Sequence, residues 1–148
     1  MELALSLARE IVEISDRSTT GTFQVLGYRF LGMTQYLMGQ NREALDSLQQ
    51  AERYRDPNRQ KLLGYQFGQD PILSILSAQV LQLAHLGLVE QAARVSDELR
   101  AELPRHDHVP TVAASMILGV VSLDSVLDDL EACERHSAEL VAYCGEKI

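Results

Sequence analysis

The chain has 148 residues, a net charge of −8 and a pI near 4.9. Apolar residues make up 46 % of it, enough for a core, so a disordered chain is excluded. Thirteen Lys and Arg against 21 Asp and Glu, with no basic cluster, argue against contact with nucleic-acid phosphates or an anionic membrane surface. Abundant Ala, Leu, Glu and Gln, broken by only nine Gly and four Pro, favour helix. The longest apolar stretches, such as Met116–Val121, are far too short to cross a bilayer. No secretion signal is expected, since no charged, apolar and cleavage-site regions follow one another at the start. Cys133 and Cys144 lie roughly 16 Å apart along a shared helix, too far to pair. Two buried thiols in a reducing cytoplasm are therefore expected.

Seven helices are predicted. The first covers about Glu2–Asp16, with a wide apolar stripe of Leu3, Leu7, Ala8, Ile11, Val12 and Ile14. The cluster Ser18-Thr19-Thr20-Gly21-Thr22 breaks it and caps the second, about Thr22–Met38, which ends at Gly39. The third spans about Arg42–Arg55, with Ala44, Leu45, Leu48 and Ala51 inward, and stops at Asp56-Pro57-Asn58. A connection follows, Arg59–Asp70, whose Tyr65 and Phe67 are expected to pack on neighbouring helices. Asp70-Pro71 starts the fourth, about Pro71–Leu86, with Asp70 as the cap. Gly87 turns the chain into the fifth, about Val89–Leu103, and Pro104 ends it. The sixth is about Thr111–Val121. Ser122 or Asp124 caps the seventh, about Ser125–Gly145, whose stripe Val126, Leu127, Leu130, Cys133, Ser137, Leu140, Val141 and Cys144 is expected to be buried.

The segments Leu37–Ala51 and His85–Leu99 match each other. Gly39 pairs with Gly87 and Ala44 with Ala92, an offset of 48 residues. A repeated helix–turn–helix unit points to a solenoid, an architecture that binds more often than it catalyses.

The first unit carries Tyr28, Leu31, Gly32, Ala44, Leu48 and Pro57. The second carries Leu76, Leu83, Ala92 and Pro104, with Val80 and Ser96 in place of Gly and Phe. This resembles the tetratricopeptide repeat. Counting 34 residues onward sets Val126 and Leu130 at the Ala and Phe places of a degenerate third unit, and Arg59–Ile72 then reads as an insertion. The resemblance implies an all-α, right-handed α–α superhelix of about three helix pairs in one domain, residues 1–148. The runs Tyr54-Arg55-Asp56-Pro57-x2-Gln60, Tyr65-Gln66-Phe67-Gly68-Gln69-Asp70-Pro71 and Leu86-Gly87-x3-Gln91-Ala92 narrow it further. They are similar to the C-terminal helical repeats of large bacterial signalling proteins. There a nucleotide cyclase or DNA-binding transcriptional domain precedes a P-loop ATPase and then the repeats. The chain departs from that family at Ala84-His85 and at Arg105-His106-Asp107-His108. Its ends look cut rather than capped, so a piece of a longer polypeptide is expected.

No phosphate loop and no nucleophile–base–acid set occurs in the sequence, so no catalytic residue, metal or cofactor is assigned. His106 and His108 could chelate, but no third ligand is near in sequence, and a solvated loop is the expected setting. Asp70 is read as a cap. Asp124, Asp128, Asp129, Glu131 and Glu134 are read as a wet helix face.

By repeat register the concave face is lined by Leu26, Arg29, Met33, Tyr36 and Leu37 in the first unit. Ser74, Ser77, Leu81, Ala84 and His85 line it in the second. Of these, Leu26, Arg29, Met33, Tyr36, Leu37, Ser77, Leu81 and His85 are the assigned partner-binding groove. The mixture suits an apolar peptide or a partner helix. The expected function is a non-catalytic interaction or regulatory module in the cytoplasm. Its partner is a protein, or adjacent domains of the same chain. The alternative is a self-associating adaptor, dimeric through its open terminal helices.

Overall fold

A computed structural model describes residues 2–19, 21–56, 63–68 and 70–147. Thr20, Pro57, Asn58 and, within the expected insertion, residues 59–62 and Gln69 lie outside them, as does the side chain of Phe67. The fold is all-α, with seven long helices among the described residues. These are α1 (Glu2–Ser15), α2 (Thr22–Leu37), α3 (Asn41–Arg53), α5 (Pro71–His85), α6 (Val89–Glu102), α7 (Val109–Val126) and α8 (Leu130–Lys147). A single turn, α4 (Leu63–Phe67), precedes α5, and a 3-10 turn over Leu103–Arg105 follows α6.

The matching segments fold alike. After α2, Gly39 takes φ 76°; its amide donates to Tyr36 O, and the Gln40 amide to Gln35 O, each at 2.9 Å. After α5, Gly87 takes φ 75°; its amide donates to Ala84 O at 3.0 Å, and the Leu88 amide to Leu83 O at 2.9 Å. Glycine is used because a left-handed residue lets the chain satisfy the last helical carbonyls. A third copy of this turn closes α7. The Asp129 amide donates to Asp124 O at 3.0 Å, and Asp128 takes the left-handed place with φ 57°. α2–α3, α5–α6 and α7–α8 are thus three helical hairpins.

The third turn corrects the expected boundary between the last two helices. No break occurs at Ser122, because its hydroxyl turns back to Ile117 O at 2.8 Å instead of capping a new helix. The chain continues as helix to Val126 through a π-helical turn over Ile117–Val121. The third unit therefore lies 41 residues after the second, 88 to 129. The places of Ala92 and Ser96 fall on Cys133 and Ser137, not on Val126 and Leu130. Val126, Leu127, Leu130 and Val141, expected to be buried, are exposed. α8 instead turns Ala132 and His136 inward, with Leu140 and Tyr143 against the core and both cysteines half-buried. α7 also corrects the length estimate. Val109–Val126 spans 18 residues at mean hydropathy 1.7, long and apolar enough to cross a membrane by length and composition. One face of it, including Thr111 and Asp124, is buried within the bundle.

α5 is the central element, buried from Pro71 to Ala84. Asp70 caps it as expected, its carboxylate accepting from the amides of Ile72 at 2.9 Å and Leu73 at 3.3 Å. One side of α5 joins Val25, Leu48 and Ala51 through Ile75 and Ala78. The other joins Leu99, Val112, Met116 and Val120 through Ile72, Leu73 and Leu76. Small residues bring the helices close. A Cβ on Gly32 would stand 2.8 Å from Leu48 Cγ and 3.1 Å from Ala44 O.

α1 packs on α2, and its burial corrects the first stripe. Leu5, Ala8 and Ser15 are buried, whereas Leu3, Leu7, Ile11 and Ile14 face solvent. α2 starts within the expected cluster: its cap is Gly21, with no side-chain hydrogen bond, and Gln24 Nε2 holds the connection by donating to Ser18 O at 2.6 Å.

Candidate functional site

Seven of the eight assigned groove residues divide into a buried floor and an open ridge, and Leu26 borders the cleft between α1 and α2 instead. Arg29, Ser77 and Leu81 form the floor, each less than a tenth exposed. Arg29 is spent inside the fold. Its Nε donates to Ser74 Oγ at 2.6 Å, and its guanidinium carbon sits 5.1 Å from the Phe30 ring centroid. Burial pulls its pKa below the ordinary guanidinium value. Arg29 therefore ties α2 to α5 and is not free to meet a partner. Ser77 Oγ donates to Ser74 O at 3.2 Å, and the Ser77 backbone lies against Gly119 of α7.

Met33, Tyr36, Leu37 and His85 form the ridge. Met33 is half-buried against the cluster of Val25, Leu48 and Ala51. The Tyr36 ring lies 5.8 Å from that of His85, tilted by 52°. His85 Nδ1 is 2.7 Å from Leu81 O. A carbonyl only accepts, so Nδ1 carries the donated hydrogen, and in the neutral ring Nε2 is left as an acceptor. Leu37 is exposed. Tyr36 and His85 come from two different hairpins, so the ridge exists only when α2 and α5 are docked. Its means are the Tyr36 ring with its hydroxyl, two apolar side chains and one imidazole nitrogen. Those can seat an apolar or aromatic side chain and offer hydrogen bonds from the hydroxyl and the imidazole.

The other sequence candidates go elsewhere. His106 Nδ1 faces Asp70 Oδ2 at 3.2 Å, and His108 Nδ1 faces Thr111 Oγ1 at 2.7 Å. The two imidazoles thus have separate partners within the fold. Among the described residues no group of three His, Cys, Asp or Glu is placed to hold a metal. Tyr65 is exposed and meets the His108 ring edge-on at 5.2 Å. Asp124, read from sequence as part of a wet face, is buried; Asp128, Asp129, Glu131 and Glu134 are exposed.

Two features were not assigned from sequence. One is the chain Asp124–His136–Arg100, which links α7, α8 and α6. His136 Nδ1 and Asp124 Oδ2 are 2.6 Å apart, and His136 Nε2 and Arg100 Nη1 are 2.6 Å apart. With both nitrogens engaged and the side chain buried, His136 is a clamp rather than a reacting group. The other is a cleft of about 580 Å³ between α1 and α2, bordered by Ile11, Ile14, Phe23 and Phe30. The seven-residue spacing of Phe23, Phe30 and Leu37 was the available signal for it.

Comparison with protein-family models, with curated proteins and with solved structures finds no match.

Proposed function

We propose that the chain is a non-catalytic helical-repeat module that binds a protein partner along the α2–α5 ridge. The observation that carries this reading is the ridge itself. Tyr36 and His85 are brought ring to ring from successive hairpins, beside exposed Leu37, over a floor locked by Arg29 and Ser74. A rigid floor under a few amphipathic side chains suits a segment held as a helix or extended peptide. The repeat resemblance supports a right-handed superhelical course for the three hairpins. The motifs around Tyr54, Phe67 and Asp70 support a place as the regulatory arm of a bacterial signalling polypeptide. There, partner binding would alter the disposition of attached domains.

The test is affinity capture from the source cell with the full chain and with a Tyr36→Ala, Leu37→Glu variant. Leu37 is exposed and Tyr36 half-buried outside the core clusters, so the fold is expected to survive, as circular dichroism would verify. Capture of the partner is expected to fall at least about tenfold, the scale of a buried aromatic contact at an interface. Equal capture by both forms contradicts the ridge. The self-associating reading is favoured by a different surface, the α1–α2 cleft.

A further inference from the structure

Gln35, Leu83 and Asp124 hold one place in the three hairpins, since each carbonyl accepts the amide five residues on that closes its turn. Twelve residues after each, on the facing helix, stand Ser47, Val95 and His136. The contact between these two places is filled by three chemistries. In the first hairpin Ser47 Oγ donates to Gln35 Oε1 at 2.6 Å, a neutral bond. In the second, Val95 packs on the cluster that holds Leu83. In the third, a buried carboxylate meets a buried imidazole, Asp124 Oδ2 lying 2.6 Å from His136 Nδ1. The first two hairpins close without an ionisable pair here, so closing the turn does not account for the third.

The third pair also reaches beyond its own hairpin, because His136 Nε2 lies 2.6 Å from Arg100 Nη1 of α6. A guanidinium only donates, so Nε2 accepts, and Nδ1 carries the hydrogen given to Asp124. The ring is therefore neutral in this arrangement, and both bonds last only while Nε2 is bare. A proton on Nε2 would set two donors head to head. The surroundings decide which partner gives way. The Asp124 side chain is only 12 % exposed, and its carboxylate binds a charged ring more tightly than a neutral one. The Arg100 side chain is 44 % exposed, and Glu139, three residues beyond His136, already stands 3.9 Å from its Nη2. No other charge faces the ring among the described residues. α5 has none from Pro71 to Ala84, α7 has Asp124 alone, and Asp97 of α6 and Glu134 and Arg135 of α8 are exposed.

We infer that His136 is a proton-operated switch on the docking of α8. The neutral ring ties α8 to both α7 and α6; the protonated ring keeps Asp124 and gives Arg100 up to Glu139. The tie to α6 is thus present on the alkaline side and lost as pH falls, whereas the tie to α7 persists. A bond to a buried ring is exchanged for an exposed ion pair, which salt screens and which contributes little. The part of α8 beyond His136 then loosens from α6. Leu140 and Tyr143, packed against the cluster of Leu99, Val112 and Met116, are left to hold it. The switch is separate from the α2–α5 ridge and stands or falls without it.

Nitrogen-15 NMR of the full chain from about pH 8 to about pH 5, the range in which histidine changes charge, tests it. On the alkaline side the His136 ring is expected as the pure Nδ1–H tautomer, with an Arg100 Nη1 hydrogen resolved from solvent. On the acid side both ring nitrogens are expected to carry hydrogen, and the Arg100 signal is lost in the same step. Amide protection from Ser137 to Lys147 should fall with it by at least about tenfold, the scale of a lost hydrogen bond to a charged group. Protection in α2 and α3 should not change. His136→Gln offers a donor to Asp124 and an acceptor to Arg100 at every pH, so it is expected to hold the Arg100 signal throughout. A ring that stays neutral down to about pH 5 overturns the proposal. So does a ring that takes up its proton while the Arg100 signal stands still. An equal loss of protection in His136→Gln assigns the effect to another titrating group and overturns it too. Should that variant not fold, the coincidence or separation of the ring and Arg100 steps in the unaltered chain decides the case.

Discussion

Gly119 sits where α5, α6 and α7 converge. A Cβ there would collide with Leu99 Cδ2 and stand 3.0 Å from Ser77 Cα, a backbone atom that cannot step aside. The same residue's carbonyl accepts from Ser96 Oγ at 2.8 Å within the π-helical turn. Gly119→Ala is therefore expected to cost about 1–3 kcal/mol in urea unfolding, the scale of overpacking, in spite of alanine's better helix propensity. Gly145, on α8 with open space around it, is the control. Gly145→Ala is expected to gain about 0.5–1 kcal/mol from propensity alone. If both substitutions stabilise, the close approach at Gly119 is wrong. Gln82 is the opposite case. It is fully buried on α5, and neither polar atom of its amide has a partner among the described residues. Gln82→Leu keeps the volume and removes an unpaired amide, so the midpoint should rise, by about 1–3 kcal/mol of stability. A loss would mean the amide is satisfied after all. The close approach at Gly32 and Ala44 was legible in the sequence, because small residues at helical spacing have one packing use. The need for Gly119 was not, since it depends on a π turn that no residue pattern announces.

At the scale of elements, turns were easier to read than faces. Gly39 and Gly87 announced two hairpins because glycine enters the left-handed region without a steric cost. The third hairpin was misplaced because Asp128 does the same work, and aspartate in that role resembles any polar surface residue. The stripes of the outer helices were misjudged for another reason. Apolar periodicity shows that a face can be buried, not that a neighbour exists to bury it, so Leu3, Leu130 and Val141 are exposed despite good spacing. α8 shows what does hold a terminal helix. Few large apolar side chains reach the core from it, and the His136 clamp to Asp124 and Arg100 carries much of its docking. His136→Ala is expected to cost about 1.5–3 kcal/mol, the scale of hydrogen bonds to charged groups. Amide exchange should speed up across Leu130–Lys147 and stay unchanged in α2 and α3. Uniform acceleration along the whole chain would show that the clamp stabilises the entire fold instead.

The whole molecule is a set of three hairpins arranged around α5, with α1 flanking the first. Arg55 adds a polar tie between hairpins, reaching Glu52 at 3.1 Å, Glu98 at 3.2 Å and Glu102 at 3.4 Å. Composition and helix punctuation made the all-α class and the seven helices readable. The candidate site was half readable. Repeat register pointed to α2 and α5, and the structure leaves Met33, Tyr36, Leu37 and His85 at least partly exposed there. It could not tell that Leu26, Arg29, Ser77 and Leu81 are consumed by packing, because the register gives a direction from the helix axis and not the distance to the next helix. In the proposed function a partner protein is held by this ridge. Hydrogen exchange on the captured complex against the free chain tests it most directly. Slowed exchange over residues 29–40 and 81–88, with α3 and α6 unaffected, is the predicted footprint. Protection confined to the outer surfaces of α3 and α6, around Asp46 and Arg94, would contradict it.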